Sequence, residues 1–324
     1  MTDAAAPTTL RSRVRSILPW LGAALLLGWV LYPFVTKPEG RAALASAFTN
    51  VSPWAAVAVP LLFVAIMTSD SLAMWRTFGL FGVALSYREA LVIRGSTYLL
   101  ALVNYSVGQG GIVYFVHRER AVPLARAVGI TLLIMGINLV TLVLLADAGA
   151  LLSRDPGEKA RLLRTILLVL SAGLPAYLAL VALRPRFLAN RAVLAPLFEA
   201  GLGGHPRLVL VRLPHICSLM LSNYVVMLLF GVEVPLLDYL RDMPAVFFVA
   251  VLPITVQGLG TQQAVQLYFF ARWAPGEPRA QEALIVAASL FWTACGMSLQ
   301  ALTGAVCLRL GGRRMLEAPA ATKT

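Results

Sequence analysis

The sequence predicts an all-α membrane protein, a bundle of about six full spans with two re-entrant or broken helical hairpins of opposite orientation. Three observations predict this fold class: the composition, the length of the apolar segments and the placement of the basic residues. Hydrophobic residues make up 59% of the 324 residues and charged residues only 13%, about half of the roughly 25% found in soluble domains. Mean hydropathy is +0.79. These charged residues are too few to form the surface of a water-soluble protein of this size. The excess of apolar residues must therefore face lipid.

The net charge of +12 favours a membrane topology signal over a nucleic-acid partner. The basic residues form short clusters between apolar stretches, as the positive-inside rule describes, and they suit anionic lipid headgroups. The cysteines Cys217, Cys295 and Cys307 show no CxxC spacing. Neither a disulfide framework nor a zinc site is expected, and with no nucleotide motif present the sequence predicts no cofactor or metal.

The first apolar segment, residues 17–35, is interpreted as an uncleaved anchor after a cytoplasmic tail of residues 1–16. It is longer than the roughly 7–15 residues of a signal peptide and has no small-residue cleavage site close behind it. The sequence predicts one membrane domain over 17–308 and a cytoplasmic basic tail over 309–324. The further segments of spanning length are Trp54–Trp75, Leu124–Leu145, Thr165–Leu183, Leu208–Phe230 and Ala283–Leu308.

Two apolar stretches, about 90–116 and 244–271, contain breaks. The first is interrupted by Asn104 and by the run Gly108-Gln109-Gly110-Gly111, the second by Pro253 and by Gln257-Gly258-Leu259-Gly260. Each pattern predicts two half-helices joined by a glycine-rich break, which the membrane tolerates only where protein or a polar cavity surrounds it. The alternative is a pair of kinked helices that pack closely at glycine.

The charges of the loops predict the orientation. The loop that carries Lys37, Glu39 and Arg41 is nearly balanced, whereas basic residues flank the first broken stretch on both sides and indicate the cytoplasm. Glu233, Asp238 and Asp242 outnumber Arg241 on a loop assigned to the outside. The loop residues assigned to the cytoplasm are Arg184, Arg186, Arg191, Arg207 and Arg212. Both termini are expected in the cytoplasm, and two opposed broken segments indicate a transporter-type site.

The breaks supply the candidate binding residues. Unwound backbone at Gly108–Gly111 would expose N–H groups beside a helix N-terminus, an arrangement that suits phosphate or another anionic headgroup. The candidate substrate-binding residues are Asn104, Gly108, Gln109, Gly110, Gly111, Pro253, Gln257, Gly258, Gly260 and Gln263.

One ionisable residue within the second span, Asp70, requires its own explanation. A carboxylate at that depth needs a partner, and Arg94 is the nearest candidate for an intramembrane ion pair. The alternative is that the span ends earlier and that Asp70 lies at the membrane interface. His215, alone in its span, is interpreted as a packing residue.

Several segments resemble a known family. They are Trp75-Arg76-Thr77-Phe78-Gly79, Arg88-Glu89-Ala90-Leu91, Val103-Asn104-Tyr105 and Leu252-Pro253-Ile254-Thr255-Val256-Gln257-Gly258-Leu259-Gly260. Together they resemble the transmembrane region of lysylphosphatidylglycerol synthases and their stand-alone flippase-like relatives. The chain departs from the family pattern in having Gly108 where a proline is common, Phe115 near an expected arginine, Gln263 where a glutamate is usual, and Gly136 and Asn138 in place of a charged pair.

The resemblance implies a bundle with re-entrant hairpins that moves a lipid between leaflets in a prokaryotic plasma (inner) membrane. The sequence ends at Thr324 without the aminoacyl-transferase domain of the synthases, so lysine transfer is not expected. The implied partner is a membrane lipid, either anionic or of an isoprenoid or hopanoid type. Two alternatives remain: a non-transporting membrane partner of a lipid-synthesis enzyme, and an intramembrane lipid-modifying transferase.

Overall fold

The computed structural model describes residues 28–29, 31–32, 35–49, 51–152, 154, 157–251 and 258–316. In this part of the chain the regular structure is entirely helical, with eleven α-helices and no strand. The helices are α1 Pro38–Thr49, α2 Ala55–Leu80, α3 Tyr87–Val103, α4 Tyr105–Arg120, α5 Leu124–Leu152, α6 Glu158–Leu183, α7 Arg186–Ala189, α8 Ala195–Leu229, α9 Leu236–Val251, α10 Thr261–Phe270 and α11 Pro278–Leu316.

Five of these helices, α2, α5, α6, α8 and α11, are long and apolar enough to cross a bilayer. This is the architecture of a multi-pass helical membrane bundle. Each of the five overlaps one of the spans predicted from the sequence. The predicted first span at 17–35 lies largely outside the described residues, as do the tail at 1–16 and residues 317–324.

The apolar core has two large clusters, one around each broken segment. The first joins α2 and α5 to the pair α3–α4, and the second joins α5, α8 and α11 to the pair α9–α10. Helix α6 contributes little to either cluster, and Leu168 and Val169 on it remain 72% and 69% exposed. In a membrane protein such residues face lipid, which explains their exposure without any lost hydrophobic burial.

The first break lies at Asn104, not at the glycines that follow it. Asn104 adopts an extended conformation, φ −164° and ψ 138°, and its carboxamide oxygen accepts a hydrogen bond of 2.8 Å from the N–H of Ser106. Asparagine is among the preferred N-cap residues, so it ends α3 and starts α4 in one step.

The prediction that Gly108–Gly111 would be unwound is wrong, because α4 continues through all four residues. The reason is packing against α3. A Cβ atom on Gly108 would lie 2.7 Å from the Cβ of Ala101, and one on Gly111 would lie 2.6 Å from a methyl of Leu100. These glycines let the two arms of the hairpin approach closely, as small residues do between membrane helices.

The second break lies where the glycines predicted it, between α9 and α10. Gly258 and Gly260 have φ values of +72° and +83°, a conformation that residues with a Cβ rarely adopt. Pro253 and Gln257, also predicted here, lie outside the described residues. Helix α10 then packs against α9 and α11.

Other boundaries differ from the prediction. The segment predicted as the loop after the first span is helix α1, which packs against α11. Helix α11 continues to Leu316, past the predicted end of the domain at Leu308.

The charged residues assigned to an outside loop lie within α9 instead: Asp238, Arg241 and Asp242. Arg241 is buried there and donates hydrogen bonds to both carboxylates. Because these charges are paired, α9 can pack against α5. Gly149 on α5 leaves room there for the backbone of α9 at Arg241.

Candidate functional site

Asp70 lies near the middle of α2 and is 2% exposed. The Nε atom of Arg94, on α3, donates to its Oδ2, and Nη1 of Arg212, on α8, donates to its Oδ1 at 2.5 Å. The structure thus brings together Asp70 and Arg94, the pair expected from the sequence, and adds a second arginine. A buried carboxylate needs such partners because removing a charge from water costs several kcal/mol or more.

Arg212 was assigned to a cytoplasmic loop, and that assignment is wrong. It lies near the middle of α8 and is buried, and its Nε also donates to the side-chain oxygen of Asn138 on α5. The physical reason is that Asp70 and Asn138 satisfy the guanidinium inside the bundle. Its position within the predicted span Leu208–Phe230 was a sequence signal for this role, because an arginine inside an apolar span needs a polar partner.

The charges of this cluster do not cancel. One carboxylate faces two guanidinium groups, while His215 lies with Nδ1 4.0 Å from Oδ1 of Asp70 and 3.2 Å from the carbonyl oxygen of Ile66. With His215 neutral, the cluster carries one excess positive charge. Two guanidinium groups also carry more N–H donors than Asp70 and Asn138 accept, so the cluster is suited to an additional anion.

The cluster lines a cavity of about 230 Å³. The joint of the first hairpin contributes Ala101 and Tyr105 to its wall, and the joint of the second contributes Ala250 and Gln262. Both helix breaks therefore adjoin the same space as the charges. A volume below the roughly 300–1,000 Å³ of whole-ligand pockets fits a polar headgroup better than an entire lipid.

The predicted binding residues have other contacts. Asn104 caps α4, Gly108 and Gly111 pack against α3, Gln109 is buried and Gly110 is exposed. None of these five lines the cavity.

In the second hairpin, the side-chain oxygen of Gln263 accepts from the N–H of Gly260 at 2.7 Å, and its amide nitrogen donates to Thr293 at 3.3 Å. Gln263 thus holds the start of α10 against α11. Its neighbour Gln262, 3% exposed, lines the cavity instead. Which of two adjacent glutamines faces the cavity depends on the rotation of α10, which no local sequence signal determines.

Sequence reasoning also missed Asn138 as a site residue. In the sequence it stands out only as a departure from the charged pair of the family that the chain resembles, yet its side-chain oxygen accepts a hydrogen bond from Arg212 at the cavity wall. Within the described ranges, no three His, Cys, Asp or Glu residues are grouped as metal ligands. The polar groups that line this cavity are guanidinium, carboxylate, amide, phenol, hydroxyl and imidazole groups.

Comparisons of the chain with protein-family models, with curated proteins and with solved structures found no match. The family resemblance therefore depends on the sequence segments quoted above, and the functional argument on the geometry of the cavity.

Proposed function

We propose that this protein is a lipid translocase-like membrane protein that binds the anionic headgroup of a lipid between its two helical hairpins and moves it between leaflets. The observation that carries the proposal is the cluster of Asp70, Arg94 and Arg212 in a cavity bordered by both helix breaks. One arginine would be enough to pair with Asp70, so the need for a counter-charge does not account for the second.

The cost of these charges supports a functional role. Each charged residue at the centre of a membrane helix costs about 2.5–3.5 kcal/mol on insertion scales, and such residues usually mark substrate pathways. A single arginine would neutralise Asp70. The second arginine leaves the cavity cationic, and a phosphate group of the substrate would supply the missing negative charge.

The order of the helices supports opposed hairpins. If α2 crosses towards the cytoplasm, α3–α4 enters and returns on that side, and α5, α6 and α8 cross in turn. The pair α9–α10 then enters from the outside, and α11 returns to the cytoplasm with the basic residues at its end. Helices α3 and α4 have 17 and 16 residues, about 25 Å each, short of the roughly 30 Å hydrocarbon core.

The size of the cavity suggests how a lipid is carried. With space for a headgroup only, the acyl or isoprenoid chains would stay in the bilayer while the headgroup moves past the charged cluster. Either an anionic phospholipid or a phosphate-linked isoprenoid fits this chemistry, and we place the protein in the plasma (inner) membrane of a prokaryote with both termini in the cytoplasm, as the family resemblance and the basic flanks suggest.

The two alternative functions, a lipid-modifying transferase and a non-transporting partner of a lipid-synthesis enzyme, require different features of the structure. A transferase needs a free base or nucleophile, whereas Asp70 is held by two arginines and His215 contacts a backbone carbonyl. This geometry favours binding over catalysis. A non-transporting partner of a lipid-synthesis enzyme needs only the bundle, and the transport measurement below separates it from a translocase.

The test reconstitutes the purified full-length protein in vesicles that contain tail-labelled phosphatidylglycerol or phosphatidylcholine and measures access of an impermeant quencher to the inner leaflet. We expect transfer of phosphatidylglycerol, and a loss of roughly 10- to 100-fold in Arg212→Gln, because a hydrogen bond to a charged group contributes about 1.5–3 kcal/mol. Arg94→Gln should behave alike.

The matched control is Arg126→Gln, which removes a partly exposed arginine paired with Glu199. It should transfer lipid at the rate of the unaltered protein. If the unaltered protein transfers neither lipid, the translocase proposal fails and the non-transporting partner is favoured. If Arg212→Gln is fully active, the cavity is not the route of the headgroup.

A further inference from the structure

A second cavity lies outside the charged cluster, in a groove between α5 and α6. Its volume is about 350 Å³, and its walls are apolar apart from Tyr177. Val193 and Leu194, just before α8, and Leu197, in its first turn, also line it, and the carbonyl oxygen of Val193 lies beside Gly129 at one end. Along α5 the groove extends from Gly129 to Leu144, about 22 Å at the helical rise of 1.5 Å per residue.

The groove is open because α6 packs loosely. Only 11% of the apolar window of α6 is buried, against 33–39% for the other four candidate spans. Gly136 on α5 and Gly173 on α6 face into the groove, and a Cβ atom on either would meet nothing within 4 Å. In a bilayer such an apolar space is filled by hydrocarbon, since neither water nor vacuum is stable there.

The end of the groove carries positive charge. Arg184, Arg186 and Arg191 are exposed on the segment between α6 and α8, and the next carboxylate along the chain, Glu199, is paired with Arg126. The carbonyl oxygen of Arg191 accepts from the N–H of Leu194, whose side chain lines the groove. Arg191 therefore lies within one turn of the groove lining, and Arg184 and Arg186 precede it in the same short connection.

We infer that this groove binds one anionic phospholipid, with an acyl chain between α5 and α6 and its phosphate at Arg184, Arg186 and Arg191. Basic residues beside membrane helices bind anionic headgroups in this way. A second copy of the chain is a poorer occupant, because each copy has a net charge of +12 and would present the same cationic segment at the contact.

The experiment measures bound lipid on the purified full-length protein. Protein in nanodiscs of equal parts dioleoyl phosphatidylglycerol and dioleoyl phosphatidylcholine is released into detergent, and native mass spectrometry counts the retained lipid of each class. The unaltered protein should retain phosphatidylglycerol preferentially.

Two substitutions fill the groove from opposite walls. Gly136→Leu and Gly173→Leu should each lower retention of phosphatidylglycerol on the order of tenfold, because displacing two buried methylene groups has that effect. The control is Gly79→Leu, at an exposed helical glycine outside the groove with nothing within 4 Å of its Cβ position, and it should retain lipid normally. If one of these two leucine variants does not fold, the lipid retention of the other one tests the inference.

The headgroup site is tested separately. Replacing Arg184, Arg186 and Arg191 by glutamine should lower retention of phosphatidylglycerol about fivefold per arginine and leave phosphatidylcholine unchanged. Unaltered retention in both groove variants overturns the inference, as does equal loss of the two lipids in the arginine variant. A change from dimer to monomer in Gly136→Leu with unchanged lipid would assign the groove to a second copy.

This lipid site is independent of the proposed transport. Arg212→Gln alters the central cavity and should itself lower the total count of retained phosphatidylglycerol, whereas adding Gly136→Leu to it should cause the same further loss that Gly136→Leu causes in the unaltered protein. The inference of a lipid site in the groove can therefore be overturned while the translocase proposal stands, and the translocase proposal can be overturned while the lipid site stands.

Discussion

Asp70 and Arg212 are joined by a 2.5 Å hydrogen bond although 142 positions separate them in the chain. The bond connects the middle of α2 to the middle of α8, two helices that pack along each other. Arg94 holds the other carboxylate oxygen from α3. One carboxylate thus fixes three helices around the cavity, so the same residues that would bind a headgroup also set the geometry of its site.

Removing the carboxylate should destabilise the bundle strongly. In Asp70→Asn, two buried arginines lose their counter-charge, which costs about 3–5 kcal/mol for a broken buried pair. Thermal unfolding of the detergent-purified protein should show a clearly lower midpoint. Glu199→Gln, which breaks the partly exposed pair with Arg126, should cost about 0–1 kcal/mol. Similar midpoints for the two variants would contradict a central role for Asp70.

Removing the whole cluster should separate stability from transport. In the triple variant Asp70→Leu, Arg94→Met and Arg212→Met no buried charge lacks a partner, and replacing a buried charged triad by apolar residues is often neutral or stabilising. We expect a midpoint near that of the unaltered protein, together with loss of phosphatidylglycerol transfer. A stable variant that still transfers this lipid would show that the charges serve structure alone.

The first hairpin offers a matched pair of glycines. Gly108→Ala places a methyl 2.7 Å from the Cβ of Ala101 and should destabilise the protein by about 1–3 kcal/mol through overpacking. Gly110→Ala has nothing within 4 Å and should stabilise the helix by about 0.5–1 kcal/mol, because alanine has the higher helix propensity. Unfolding midpoints that shift in the same direction would contradict the packing of α4 against α3.

The site could be predicted only in part. Asp70 and Arg94 were identified because an isolated charge in an apolar span needs a partner, a rule that acts on sequence alone. Gly108 and Gln109 were selected because glycine-rich runs often break helices, yet here the N-cap at Asn104 decided the position of the break and the glycines served close packing. The break at Gly258 and Gly260 was predicted from the glycine-rich run that interrupts the apolar stretch, and there the structure shows the positive φ values that glycine adopts readily.

The sequence by itself determined the class of the protein. Long apolar segments, few charges and clustered basic residues predict helices that cross a membrane, since in hydrocarbon each helix must satisfy its own backbone. Tertiary structure alone decided that Arg212 and Asn138 join Asp70, and that Gln262 faces the cavity while Gln263 holds α10. These outcomes depend on how each helix is rotated and which helices are neighbours, and many weak contacts spread along the whole bundle set that arrangement.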